Sequence, residues 1–395
     1  MRVFHLGDLH IGKSVNQFCM LEDQRFVLQQ LYQMIEEEHP DVVVIAGDLF
    51  DRAVPAVDAV ELVDELFKKV VIERETPIIA IAGNHDSSER IEYLSKFAQH
   101  NGLYLRGVLK KEITPISLKD AYGEVVFYPI PYAKPAVIRE LYQDQSIKNH
   151  DDGMKKVIEQ IKQSIDPKKR NIAIAHGHVT NINEDGVEQL EESKSEKPLE
   201  IGGTDSVNAV YFDCFNYTAL GHLHGPQKVK DDRIRYSGSL LKYSFSEVNQ
   251  RKGITIVDLN EKGEVTIRIC DFRPRRNMRI LKGKINDILT GKQEDTGSKE
   301  DYIRVELEDR GEILDPMSKL RSVYPHVMEL GRSEDQHTKS KETKVGIANV
   351  KEQDKLKLFE GFYEDIIGEK CEEEKLLVMK KVIEQIESED ESNAN

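Results

Sequence analysis

The tetrapeptide Gly83-Asn84-His85-Asp86 follows an apolar run, Pro77-Ile78-Ile79-Ala80-Ile81-Ala82, that has the length and branching of a buried strand. Gly83 lets the backbone turn sharply, the amide oxygen of Asn84 is a neutral hard ligand, and His85 titrates near neutral pH. That is equipment for hydrolysis beside a metal. Asn and Asp also serve ordinary turns, so one such cluster decides nothing. Four more clusters of the same form do.

The strand Arg2-Val3-Phe4-His5-Leu6 ends at Gly7-Asp8-Leu9-His10, where Asp8 and His10 stand two apart, on one side of an extended chain. The run Asp41 to Ala46 leads to Gly47-Asp48-Leu49-Phe50-Asp51, with Asp48 at the strand end and Asp51 one turn further on, where it could equally cap the helix starting near Pro55. Asn171 to Ala175 delivers His176-Gly177-His178. His176 ends the strand and is the expected ligand; His178 is kept as a possible substrate contact. Tyr217 to Leu220 yields Gly221-His222-Leu223-His224.

Asp8, His10, Asp48, Asn84, His176, His222 and His224 are therefore seven oxygen and imidazole donors at strand ends. Carboxylate, amide and imidazole without thiolate favour Mn²⁺, Fe²⁺ or Zn²⁺ over Ca²⁺ or Mg²⁺. With Asp48 shared, seven donors suit two ions roughly 4 Å apart. His85 is then not a ligand but the acid that protonates a departing oxygen, with Asp51 orienting its ring.

The 395 residues suffice for a large core and one or two small modules. No apolar run approaches the roughly 20 residues of a membrane span, no secretory segment precedes the first strand, and a cytoplasmic address with no membrane contact is expected. The cysteines Cys19, Cys214, Cys270 and Cys371 are scattered and read as reduced thiols. A net charge of −15 sits awkwardly with phosphate-rich partners, but Lys351 to Asn395 holds 7 Lys against 14 acidic residues, nearly half the excess.

Helices are expected over about Asp23–Glu38, Val57–Arg74 and Asp151–Ile165, with a short one opening at Ser87-Ser88. Asn181 to Asp205 reads as a long surface loop, a lid if it lies near the site. Arg233 to Ser239, Gly253 to Leu259 and Val265 to Ile269 alternate like antiparallel strands closing a second sheet. Phe272-Arg273-Pro274-Arg275-Arg276 is a basic link that could touch phosphate or simply join two modules. The expected domains are 1–273, carrying the site; a small α+β module over 274–332; a flexible tether over 333–349; and two helices over 350–390 with apolar faces at Leu356, Phe359, Phe362, Tyr363, Ile366 and Ile367 and at Leu376, Met379, Ile383 and Ile386. Such helices either pair with each other or dock a partner.

Asp8-x-His10, Gly47-Asp48-x-x-Asp51, Gly83-Asn84-His85-Asp86, His176 and Gly221-His222-x-His224, in this order, resemble the calcineurin-like metallophosphoesterase superfamily. Gly7 to Lys13, Gly47 to Asp51, Tyr236-Ser237-Gly238-Ser239-Leu240 and Phe245-Ser246-Glu247 are similar to its DNA break-repair nucleases, strongly over Met1 to about Arg273 and moderately over the small module. The resemblance implies an α/β fold, a four-layer α/β/β/α sandwich of two mixed sheets. It implies one ion on Asp8, His10, Asp48 and His224 and another on Asp48, Asn84, His176 and His222. It implies Mn²⁺-dependent 3'–5' exonuclease action on duplex DNA, endonuclease action on single strands and hairpins, and roles in recombination, replication and repair. The small module then caps the DNA groove, and the tail helices grip a coiled-coil ATPase in a heterotetramer with a dimer of nuclease subunits. Break-repair relatives carry His at the position of Asp51. A small-nucleotide or phosphoprotein phosphoesterase on the same scaffold would have little use for the module and tail, and a metal-free scaffold protein would have lost ligands that are all present here.

Overall fold

The computed structural model of the chain describes residues 1–183, 186–199, 206–292, 297–309 and 311–332, with 356, 359–360, 363, 371–373 and 375–383 in the C-terminal part. Val-, Ile- and Ala-rich runs such as Val42–Ile45 and Ile78–Ile81 are buried along their whole length, as strands covered on both faces must be. Their residues alternate between two cores. Val42 and Val44 face a core shared with the second sheet, whereas Val43 and Ile45 face a core shared with helices.

Two six-stranded mixed sheets result. The first runs Val265–Asp271, Gly253–Leu259, Arg2–Leu6, Val42–Ile45, Ile78–Ile81, Leu103–Arg106, parallel from Arg2–Leu6 onward. The second runs Gln227–Val229, Asp231–Tyr236, Tyr217–Gly221, Arg170–His176, Gly123–Ile130, Ile116–Asp120, with its four inner strands parallel. Val3, Val44, Ile79, Phe127, Ile174 and Ala219 fill the space between them. The helices Leu21–Glu38 and Val57–Phe67 cover the first sheet, and Pro135–Tyr142 and His150–Lys162 cover the second. This is the expected α/β/β/α sandwich.

Gly253–Leu259 and Val265–Asp271 depart from the sequence expectation. Both extend the first sheet, because Gly253–Leu259 pairs antiparallel with Arg2–Leu6 (Val3 opposite Val257) and buries Val257 and Leu259 between the sheets. Asp231–Tyr236 does join the second sheet, but parallel to Tyr217–Gly221. Alternation alone did not reveal which free edge each strand would take.

Met278–Gly283, Tyr302–Leu307 and Val327–Arg332 form a third, parallel sheet. With the helices Ile285–Thr290 and Pro316–Arg321 it encloses its own core around Ile288, Val305, Leu320 and Val327. Asp23 Oδ2 accepts from Arg276 Nη1 and from Tyr302 OH, both at 2.9 Å, and Asn16 Nδ2 donates to Glu329 Oε1 at 2.9 Å. Arg276 of the basic link thus fastens this module to the sandwich, leaving less of that link for phosphate. The expected tether at 333–349 lies outside the described residues, as do most of the two tail helices. Residues 375–383 are helical, and Leu376, Met379 and Ile383 are less exposed than Leu377, Val378 and Val382. No described helix is long and apolar enough to cross a membrane.

Candidate metal centre

The central parallel strands of both sheets end at one edge, and every strand-end cluster lies there. Beyond the strands the loops stay laced together: Asp8 N donates to Gly47 O (3.1 Å), His10 N to Asp48 O (2.9 Å) and Ile11 N to Leu49 O (3.0 Å). Asp86 accepts from Gly83 N (3.0 Å), Leu49 N (3.1 Å) and Phe50 N (2.9 Å), so it does the ordinary turn work while Asn84 and His85 are left for the site. Asp8, His10, Asp48 and His222 all have positive φ, at 51°, 45°, 51° and 112°. Non-glycine residues there cost about 1–3 kcal/mol each, and such strain gathers where function requires it. Glycines make room: a Cβ on Gly83 would lie 2.2 Å from Asp48 Oδ1.

The ligand atoms of Asp8, His10 and His224 lie within 4.8 Å of one another, as do those of Asp8, Asp48 and His176. His176 Nδ1 donates to Ala46 O at 2.9 Å, so its Nε2 carries only a lone pair, and that atom faces Asn84 Oδ1 at 2.8 Å. His224 Nδ1 faces Ser195 Oγ at 2.7 Å and Glu247 Oε1 at 3.3 Å, so its Nε2 is likewise bare and lies 3.1 Å from His10 Nε2. The lone pairs of His176 Nε2 and Asn84 Oδ1 are aimed at each other, and the bare Nε2 of His224 faces the His10 ring, an arrangement that cations between them would satisfy. Asp48 Oδ2 stands between the two encounters, 3.6 Å from His10 Nε2 and 3.5 Å from His176 Nε2. His222 donates its backbone N–H to Asp8 Oδ1 (2.9 Å) and Oδ2 (3.0 Å), and its ring lies 5.5 Å from that of His176. All seven expected donors therefore meet at one place, and the residues fit a divalent metal centre.

His85 is buried beside them, its ring 4.6 Å from that of His10, and its backbone N–H donates to Asp48 Oδ1 at 2.8 Å. Its Nδ1 donates to the carbonyl oxygen of Asp51 at 2.9 Å. Asp51 does orient the ring, but through its backbone, because its carboxylate is taken by Lys13 Nζ at 2.7 Å. His178 turns away toward Glu192 Oε1 and Ser206 Oγ, both at 3.2 Å. The loop 186–199, expected as a lid or plain surface, instead packs against His224 through Ser195 and Glu196. Lys13, Ser195, Glu196, Glu247 and Lys252 were not singled out from sequence. Only their neighbourhood in the phrases Gly7 to Lys13 and Phe245 to Glu247 pointed toward two of them.

Burial dominates the electrostatics. It pushes the carboxyl of Asp48 up to about 6 and that of Asp86 up to about 6, and it raises Asp8 well above the ordinary range, helped by the charge of Asp48. It pushes His176 down to about 4 and lowers His10, His222 and His224. The imidazoles are thus neutral at physiological pH, with lone pairs free for a cation, while the buried carboxyls hold their protons above the ordinary carboxylate range. Between the unfolded value near 4 and the folded value near 6, the metal-free fold holds a proton on Asp48 that the unfolded chain has lost, so Asp48's contribution to stability falls as pH rises through that window. The same proton competes with a cation. Mn²⁺ affinity is therefore expected to climb from about pH 5 to about pH 7, with proton release detectable by calorimetry in buffers of different ionisation enthalpy. Affinity flat across this range would contradict the assignment of Asp48 as a ligand.

The calcineurin-like phosphoesterase family profile matches residues 1–226, and the chain belongs to that family of metal-dependent phosphodiesterases. A second profile, the type 5 capsule protein repressor C-terminal domain, matches residues 274–366. The SbcD subunit of the SbcCD nuclease of Staphylococcus epidermidis is 36% identical over 366 residues, 93% of each chain, and this places the present chain among the SbcD nucleases. Solved structures similar to it include a Thermus thermophilus protein (TM-score 0.40, 9% identity, 69% of this chain and 99% of that one) and a dimetal phosphatase from Danio rerio (TM-score 0.38, 9% identity, 69% and 99%).

Proposed function

We propose that this chain is the Mn²⁺-dependent nuclease subunit of a complex with an SbcC-type coiled-coil ATPase, cutting duplex DNA as a 3'–5' exonuclease and single strands or hairpins as an endonuclease. It serves recombination, replication and repair in the cytoplasm. The observation that carries this reading is the meeting of seven donors and His85 at the shared edge of two sheets.

Asp8, His10, Asp48 and His224 would hold one ion, and Asp48, Asn84, His176 and His222 would hold the other. Divalent ions held there would supply charge to neutralise phosphate and would lower the pKa of a bound water toward neutrality. His85 keeps one proton on Nδ1 against the Asp51 carbonyl; in its imidazolium form Nε2 carries a second proton, which it would give to the departing sugar oxygen, leaving the neutral ring. Burial lowers the pKa of His85, the nearby Asp48 carboxylate opposes this, and an arriving phosphate opposes it further. Residues 274–332 cap the DNA groove, 333–349 tether, and 350–390 bind the ATPase. The proposed complex includes a dimer of nuclease subunits within a heterotetramer.

Purified protein with Mn²⁺ is expected to release fragments from a labelled hairpin and from blunt duplex, and to turn over a small phosphodiester far more slowly. Faster turnover of the small ester than of DNA would favour a small-molecule phosphoesterase instead.

A further inference from the structure

His224 is held unlike the other histidines of the centre. Each polar atom it does not turn toward the site has a partner, and the side chains that supply them come from two separate stretches of chain. Its backbone N–H donates to Glu196 Oε1 at 2.6 Å, and its carbonyl accepts from Lys252 Nζ at 2.8 Å. Its Nδ1–H donates to Ser195 Oγ at 2.7 Å, and the serine hydroxyl passes the contact on to Glu247 Oε1 at 2.6 Å. Glu247 is fully buried, and Lys252 Nζ pairs with its Oε2 at 2.7 Å. Ser193 Oγ also donates to Glu247 Oε1, at 2.5 Å, and Glu196 Oε2 accepts from Ser193 N at 2.9 Å. By contrast, among the described residues Nδ1 of His10 has no hydrogen-bond partner, with Asp51 Oδ1 3.7 Å away, and that of His176 meets only a carbonyl.

A buried ion pair is costly to build and weak evidence for stability alone. Here it stands behind one imidazole, where a carboxylate does specific work: it fixes which nitrogen carries the proton, sets the ring plane and makes the opposite nitrogen a better donor. We propose that Ser195, Glu247 and Lys252 are positioning residues for the half of the centre that contains His224. The loop 186–199 then belongs to the metal centre itself, since Ser195 makes the shorter contact with the ring and bridges it to Glu247, whose Oε1 lies 3.3 Å from Nδ1. This inference rests on the two-ion reading above and deepens it.

The test is Mn²⁺ titration of the full chain, followed by calorimetry and by electron paramagnetic resonance, for wild type, Ser195→Ala, Ser195→Thr and Glu247→Gln. Each metal-free variant is first checked for wild-type circular dichroism and melting temperature. Ser195→Ala removes one hydroxyl from a surface loop and keeps the test sound if Glu247→Gln does not fold. Two ions are expected in wild type. In Ser195→Ala and Glu247→Gln one of them is expected to weaken by about 10- to 100-fold, the usual effect of losing an outer partner of a ligand. The other stays within a few-fold, and Ser195→Thr, which keeps the hydroxyl, restores binding. In a His224→Ala background, Ser195→Ala is expected to have no further effect, because the two act as one unit. Two ions in wild type with unchanged affinities in both variants would overturn the brace alone, as would equal weakening of both ions. Fewer than two ions in wild type would overturn the two-ion reading and the brace with it.

Discussion

Replacing His85 with alanine is expected to lower the rate of DNA cleavage by about 10²- to 10⁴-fold, the usual worth of a positioned general acid, while both ions remain bound. The geometry explains the separation. Nδ1 of His85 is spent on the Asp51 carbonyl, and the residue's tie to Asp48 is made by its backbone N–H, which alanine retains. Single-turnover cleavage of a labelled hairpin and elemental analysis of the same preparation check the two halves. Loss of metal together with activity would make His85 a ligand. Full activity would leave the departing oxygen to be protonated by another group. Asp51→Ala is expected to cost less, because the ring is oriented by a carbonyl that the variant keeps.

Asp48→Ala is expected to do more damage. One carboxylate stands 3.6 Å from His10 Nε2 and 3.5 Å from His176 Nε2, and its other oxygen accepts from the His85 backbone. Removing it breaks both halves of the centre and the anchor of the acid at once. Bound metal should fall from two ions to one or none, and cleavage should drop by more than about 10³-fold, since even one preorganised charge-stabilising group is worth about 10² to 10³. The metal-free protein responds in the opposite direction. Burial raises the Asp48 carboxyl to about 6, so above that pH the wild type carries a charge its surroundings disfavour. Asp48→Asn should therefore melt higher than wild type near pH 8 without metal and lower with it. An equal ranking under both conditions would contradict the burial argument.

Much of this site was legible before any coordinates, because the catalytic equipment sits at the ends of strands that announce themselves as unbroken apolar runs. Asp8, His10, Asp48, Asn84, His176, His222 and His224 could be picked out this way, and the sandwich followed from the resemblance they carry. What could not be read depends on contacts that leave no local pattern. Ser195 reaches Glu247 across 52 residues and His224 across 29, through a loop with neither helical nor strand periodicity. The Asp51 carbonyl that orients His85 is a backbone atom, identical in every residue type, whereas the side chain that drew attention is bound to Lys13. Gly253–Leu259 alternates clearly enough to be a strand, but alternation does not say which sheet edge it joins, and it pairs antiparallel with Arg2–Leu6. Pro135–Tyr142 was missed because eight residues hold barely two turns of apolar spacing.

Crystals grown with Mn²⁺ and measured at the manganese absorption edge test the central claim most directly. Two anomalous peaks per chain are expected, one against Asp8, His10 and His224 and one against Asn84, His176 and His222, with Asp48 touching both. A single peak, or two peaks with Asp48 in contact with neither, would contradict it.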